Sequence, residues 1–230
     1  MREFLKKFYK GEIPFLWHYM PELDSISQKP IPLVEARKPA PLLLENLFEC
    51  ERKEKFILEI GSGKGAFMCE YAQKFPDTCI LGVEWDNYCA NATARKIAKF
   101  KLKNAAVIRG DLFYLLKNIV PPNSIDEIHT YFPDPWPKRR QQKNRLILRQ
   151  GFLELLHKAL KLGNRLFYWA TDHAEYNALV LQTFKNFPNT KILEENTALP
   201  TYGIETGFEK KYKKEGRAIF RSVIELRIES

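Results

Sequence analysis

The sequence predicts an α/β domain built on a mostly parallel, doubly wound sheet that ends in a late antiparallel strand. Three observations predict it. Short apolar runs of strand length alternate with amphipathic segments of helical period from about residue 55 onward. A glycine-rich turn stands between the first such run and the first helix. The last apolar stretch alternates with period two, as a half-buried strand does. With 230 residues and 45% hydrophobic content, the chain is long enough to bury one sizeable core.

Residues 1–54 read as an N-terminal arm of open role, because Pro14, Pro21, Pro30, Pro32, Pro39 and Pro41 interrupt regular elements. Leu42 to Phe48 reads as a short helix. The domain proper, 55–230, opens with a strand at Phe56–Ile60, a helix from Ala66 to Phe75 and a strand at Cys79–Trp85, a βαβ unit. A helix from Asn87 to Lys101, a strand at Ala105–Arg109, a helix at Leu112–Asn118 and a strand from Ile125 to Phe132 continue it. Leu148, Phe152, Leu155 and Ala159 recur at helical spacing, marking one buried face of a helix that stops near Gly163. A strand at Arg165–Ala170, a helix from Glu175 to Phe187 and a strand within Ala218 to Ile228, paired antiparallel at or near the sheet edge, complete the set.

Charge points to polyanionic partners: 37 Lys and Arg stand against 28 Asp and Glu, a net charge of +9. Lys138, Arg139, Arg140, Lys143, Arg145 and Arg149 fall together without an intervening acid, a candidate phosphate-contacting stripe. Smaller groups are Arg2, Lys6, Lys7 and Lys10, and Lys210, Lys211, Lys213, Lys214 and Arg217; a solvated helix face is the plain alternative for each. Cys50, Cys69, Cys79 and Cys89 lack C-x-x-C spacing and read as reduced, buried thiols. The four histidines are too scattered for a zinc site, so no metal is expected. Without an apolar leader or a span of membrane length, the chain is expected in the cytoplasm, away from membranes.

Leu58-Glu59-Ile60-Gly61-Ser62-Gly63-Lys64-Gly65 sits where strand turns to helix, and its glycines let backbone approach a ligand closely. With Ala66 it also satisfies G-x-G-x-x-A, so the loop alone leaves NAD and S-adenosylmethionine open. Glu84, about 20 residues on at the next strand end, is placed to accept from ribose hydroxyls in either case. Asp111 ends the third strand; it suits an adenine amino group and equally a helix N-cap. Tyr131-Phe132-Pro133-Asp134-Pro135-Trp136-Pro137-Lys138 follows the fourth strand, and three prolines around a carboxylate and an indole make a stiff loop that holds Asp134 at the sheet's C-terminal edge.

The chain here resembles the bacterial tRNA (guanine-N7)-methyltransferase family, which has the Rossmann-like class I methyltransferase fold. The match runs from about Lys55 to Ile228. Its carriers are Glu59 to Gly65, Gly82-Val83-Glu84, Gly110-Asp111, Phe132 to Lys138, Thr171-Asp172 and Thr206-Gly207-Phe208-Glu209. The resemblance implies S-adenosylmethionine as cofactor, beside Glu59, Gly61, Ser62, Gly63, Glu84, Trp85, Asp111, Leu112 and Asp134, with Asp134 catalytic. It implies tRNA as partner, touched by Lys138, Asp172, Thr206, Gly207, Phe208 and Glu209, with Arg139, Arg140, Lys143 and Arg145 on the phosphates. The expected product is 7-methylguanosine in the variable loop, at position 46, made by a monomer or homodimer. Where the family carries a basic, histidine-containing run after the lysine, this chain has Gln141, Gln142 and Asn144, a departure that weakens the tract. On residues alone, Asp172 also suits a cap on the following helix, and Thr206 to Glu209 reads as an ordinary turn.

Competing readings are a non-catalytic RNA-binding module, an NAD-linked dehydrogenase and a small-molecule methyltransferase. Intact Glu59, Glu84, Asp111 and Asp134 weigh against the first. The lack of a hydride-transfer His or Tyr–Lys pair beside the glycines weighs against the second, and the basic run beside the Asp134 loop against the third.

Overall fold

A computed structural model describes residues 8–10, 16–19, 44–49, 54–163 and 165–227. The six N-terminal prolines, the cations Arg2, Lys6 and Lys7, and Cys50 lie outside the described residues. In chain order the strands are β1 (Phe8–Lys10), β2 (Leu16–Tyr19), β3 (Lys55–Ile60), β4 (Thr78–Glu84), β5 (Ala105–Arg109), β6 (Glu127–Tyr131), β7 (Leu166–Thr171), β8 (Thr190–Glu195) and β9 (Phe220–Leu226). The helices are α1 (Ala66–Lys74), α2 (Asn87–Lys99), α3 (Leu112–Asn118), α4 (Phe152–Ala159), α5 (Ala174–Asn186) and α6 (Gly207–Lys214). A 3-10 turn occupies Leu44–Leu47, inside the short helix expected there. The chain divides into two compact units, one of Met1–Glu54 with Ser62–Pro121, the other of Lys55–Gly61 with Pro122–Ser230.

In the first unit β4 and β5 pair in parallel from Ile80↔Ala105 to Glu84↔Arg109. Both are apolar on both faces, with Cys79, Ile80, Leu81 and Val83 against Ala105 to Ile108 buried, as covered parallel strands require. β2 adds to β5 in parallel and β1 to β2 antiparallel, so part of the N-terminal stretch is sheet. Helix α2 buries Ala90, Thr93, Ala94 and Ile97, one stripe of helical period. Asp86 starts α2 by accepting from the Cys89 N–H at 2.8 Å, and Asp111 starts α3 from the Tyr114 N–H at 2.8 Å. Cys69 and Cys79 are buried reduced thiols; Cys89 is only half-buried.

In the second unit β3, β6 and β7 run parallel, β9 pairs antiparallel with β7, and β8 closes the order antiparallel to β9. The expected late antiparallel strand is therefore β9, near the edge as expected, and β8 forms the edge itself. That strand shows little apolar alternation, is mostly exposed, and carries a bulge between Ile192 and Glu194, the features by which an edge strand avoids further pairing. Helix α4 buries Phe152 and Ala159 of the expected stripe, with Leu153 and Leu156 in place of Leu148 and Leu155. Leu148 is exposed, because Gly151 at φ +78° breaks the chain between it and the helix, and Leu155 is half-buried. The helix ends at Ala159, before Gly163, because Leu160 bridges in parallel to Ile125. Thr206 to Glu209 is no plain turn: Thr206 Oγ1 accepts from the Glu209 N–H at 3.0 Å and starts α6.

Candidate functional site

The glycine turn of the first unit is held from three sides. Gly63 (φ +54°) and Gly65 (φ +67°) are left-handed, and the Gly65 N–H donates to Ser62 O at 2.9 Å. The Glu84 carboxylate accepts from the Gly63 N–H through Oε2 and from the Asp86 N–H through Oε1, each at 2.8 Å, tying the turn to the start of α2. Thr93 Oγ1 donates to Gly63 O at 2.8 Å. A Cβ on Gly65 would stand 2.7 Å from Thr93 Cγ2, and one on Gly82 would stand 2.8 Å from Ser62 Oγ. A Cβ on Gly63 would meet nothing within 4 Å, so that face of the turn is open. The buried Ser62 hydroxyl has no hydrogen-bond partner among the described residues.

Trp85 follows Glu84 and is 63% exposed; Tyr88 is exposed as well, with the Lys64 ammonium 5.0 Å over its ring. Asp86 titrates below its usual range, chiefly through the Cys89 N–H bond. Burial and the Asp86 side chain push the Cys89 thiol up to about 11, so it is no thiolate nucleophile at neutral pH. Asp111 does cap a helix, as one of its two readings has it, and Leu112 beside it is half-buried.

In the second unit β3 carries Glu59, which is buried, and leads into Gly61 at φ +72°. After β6 the chain enters the Phe132–Trp136 loop, in which Phe132 (φ +51°) and Trp136 (φ +44°) are both left-handed without being glycine. Such residues cost on the order of 1 kcal/mol or more each and persist where surroundings over-determine them. Two hydrogen bonds hold them here: the Phe132 N–H donates to Ala170 O at 2.7 Å, and Arg145 Nε donates to Pro135 O at 2.7 Å. Asp134, between them, is exposed.

Lys138, Arg139, Arg140 and Lys143 are exposed, as a phosphate-contacting stripe needs, but Arg145 is not: it is 1% exposed. Besides Pro135, it pairs with Glu175 Oε1 at 3.1 Å and lies 5.0 Å over the Tyr176 ring. Gln142 Nε2 reaches the same Glu175 oxygen at 3.3 Å, so one of the departures from the family pattern joins this anchor. Burial first, and the Asp134 charge among lesser causes, push the Tyr176 phenol up to about 12.

Asp172 follows β7 and does not cap α5; His173 does, accepting from the Tyr176 N–H through Nδ1. Asp172 Oδ2 instead accepts from Arg217 Nη1 at 2.8 Å, and Arg217 lies 4.5 Å over Tyr212. Tyr212 stacks on Phe208 at 5.8 Å and meets Phe132 edge-on at 5.5 Å. Phe208 is 51% exposed, whereas Glu209 is 2% exposed and paired with Arg221. The Tyr212 phenol is raised by burial, then by Asp172, with Asp134 a smaller cause, so both carboxylates act on one ring. Thr93, Glu175, Tyr176 and Tyr212 carry no motif signal, since a lone tyrosine in a lysine run or a threonine in a helix looks like filler in one dimension; Arg217 stands in the sequence only as one of a basic group, with no sign of its pairing to Asp172. Among the described residues no group of three or more His, Cys, Asp or Glu stands together as for a metal ion, and no helix is long and apolar enough to cross a membrane.

Comparison with known proteins adds to this geometry. The family described as "Putative methyltransferase" matches residues 53–222. A tRNA (guanine-N(7)-)-methyltransferase of Methylobacillus flagellatus is 35% identical over 187 residues, 79% of this chain and 76% of that protein. One of Thermotoga maritima is 32% identical over 171 residues, 74% of this chain but 53% of that protein, so the match spans about half the length of that relative. The crystal structure of the 16S rRNA methyltransferase KamB is similar over 77% of this chain and 90% of that chain, with a TM-score of 0.57 at 13% identity. That likeness is one of fold: the Rossmann-like class I methyltransferase fold.

Proposed function

The chain belongs to the tRNA (guanine-N7)-methyltransferase family, and from that membership we propose that it methylates N7 of a guanine in tRNA, at position 46 of the variable loop, using S-adenosylmethionine. The observation that carries the reading is the Phe132–Trp136 loop. It holds Asp134 exposed between two left-handed residues, with the exposed cations Lys138, Arg139, Arg140 and Lys143 directly after it.

The residues present fit the cofactor. Gly61 and Gly63 leave open space where a side chain would stand, and Ser62 offers a buried hydroxyl without a hydrogen-bond partner among the described residues. Each oxygen of Glu84 accepts one backbone N–H and keeps a second lone pair for a ribose hydroxyl. Glu59, Gly61, Ser62, Gly63, Glu84, Trp85, Asp111 and Leu112 are the residues we assign to holding it. When bound, S-adenosylmethionine supplies an electrophilic methyl group on a sulfonium.

Guanine N7 has a lone pair and no proton, so its attack needs no general base, and catalysis falls to positioning and charge. Asp134 supplies a fixed carboxylate beside the purine as positive charge develops on it. Asp172 accepts from the N–H groups of the guanine's Watson–Crick edge, which adenine does not offer in that pattern. Phe208 presents a ring for stacking, and Thr206 and Gly207 set the start of the helix that carries it. Glu209, buried against Arg221, serves this surface from beneath. Lys138, Arg139, Arg140 and Lys143 take backbone phosphates. We place the enzyme in the cytoplasm, as a monomer or homodimer.

The test is methylation of two tRNA transcripts differing only in guanine or adenine at position 46, across a salt series. Incorporation into the first alone, with affinity falling steeply as salt rises, supports the reading. Equal incorporation refutes the position, and a flat salt response refutes the phosphate contacts.

A further inference from the structure

We infer that Arg145 is a positioning residue for the Asp134 loop, a brace and not a phosphate contact. The inference rests on the proposed role of Asp134. Of the six cations between Lys138 and Arg149, five are exposed and Arg145 alone is buried. Burying a guanidinium is costly unless it is paired and hydrogen-bonded, so the position needs a compensating set of partners. Arg145 has them on two sides. Its Nε donates to the carbonyl of Pro135, the residue next to Asp134, and its Nη1 donates to Glu175 in the first turn of α5. Its plane lies over Tyr176, which meets Trp169 of β7 edge-on at 5.1 Å.

The loop needs such a brace. Its backbone is left-handed at Phe132 and at Trp136, one on either side of Asp134, and neither residue adopts that conformation unaided. The Phe132 end is tied by its N–H to β7 and by its ring to Tyr212. The Trp136 end is tied by Arg145. Arginine suits the task where lysine does not, because a rigid planar fork reaches a carbonyl and a carboxylate at once while stacking on a ring.

The experiment compares wild type, R145K, E175Q and D134N in single-turnover methyl transfer to a tRNA transcript, with separate dissociation constants for S-adenosylmethionine and tRNA. Expected is a rate about 100-fold lower in R145K at saturating substrates, with both dissociation constants within about twofold of wild type, as displacement of a reacting group by about an ångström gives. E175Q keeps the acceptor but loses its charge, and its rate is expected to fall about fivefold. An unchanged R145K rate overturns the inference. So does a loss confined to tRNA affinity with a shallower salt dependence, which makes Arg145 a phosphate contact after all. Should R145K fail to fold, E175Q, changed at an exposed side chain, decides: a slowed rate with unchanged affinities supports the brace, and a full rate overturns it. A fully active D134N refutes the role of Asp134 itself, a failure distinct from inactive D134N beside fully active R145K and E175Q.

Discussion

Arg217 donates through Nη1 to Asp172 Oδ2 at 2.8 Å while its guanidinium lies 4.5 Å over the Tyr212 ring. The carboxylate assigned to the guanine edge is thus oriented by a cation that is itself fixed by stacking. D172N is expected to lower kcat/KM for tRNA about 100-fold, since with Arg217 held by the remaining amide oxygen the guanine donors meet an NH2 donor where a carboxylate oxygen stood. R217A is expected to lower it less, and the double variant to match D172N alone, because residues acting through one another are not additive. Steady-state kinetics of the three variants checks this; additive losses would separate the two residues.

The Glu209–Arg221 pair makes a prediction about stability. Both side chains are nearly fully buried, and Arg221 also donates to the carbonyls of Thr197 and Ala198. Removing one partner leaves a buried charge, so E209A is expected to cost about 3–5 kcal/mol in urea unfolding. A loss of activity with unchanged stability would instead assign Glu209 to direct substrate contact.

Most of the βαβ alternation is legible because buried parallel strands are apolar on both faces, as β4 and β5 are, and because Asp111 suits a helix start in the sequence itself. β8 and α6 are not, since an exposed edge strand and a helix burying only Glu209 carry no hydrophobic period. The Asp134 loop announced itself by its prolines. Its support did not: a buried Arg145 among exposed cations, and the Tyr212–Arg217–Asp172 chain, are tertiary facts that spacing does not encode.

A buried histidine predicts acid sensitivity. His129 is fully buried, stacked 4.5 Å from Tyr168, with Nδ1 2.7 Å from Tyr131 Oη and Nε2 3.4 Å from Glu127 Oε2. Tyr202 donates to the same Glu127 oxygen at 2.6 Å, and Lys55 lies 3.6 Å from Glu127 Oε1. Burial holds the His129 pKa below 6.5 despite Glu127. Between the folded and unfolded pKa the unfolded chain binds the extra proton, so stability is present above about pH 6.5 and falls as pH drops toward the folded value. Urea unfolding at pH 7.5 and 5.5 is expected to show this loss in wild type and a smaller one in H129F. Equal losses would assign the acid sensitivity elsewhere.

The glycine turn yields a paired prediction. G65A places a Cβ against Thr93 at φ +67°, and G82A places one against Ser62 Oγ and Met68 Sδ. Each is expected to cost about 1–3 kcal/mol through overpacking and to weaken S-adenosylmethionine binding by displacing the turn. Thermal unfolding with and without S-adenosylmethionine separates the two effects, and an undiminished ligand-induced rise in Tm for both variants would remove the turn from the cofactor site.

Methylation of guanine N7 in tRNA is decided by incubating the protein with an unmodified tRNA transcript and methyl-labelled S-adenosylmethionine, digesting the RNA and identifying the labelled nucleoside by chromatography and mass spectrometry. The expected labelled product is 7-methylguanosine. Label in any other nucleoside, or none in RNA while the protein binds S-adenosylmethionine, would contradict it.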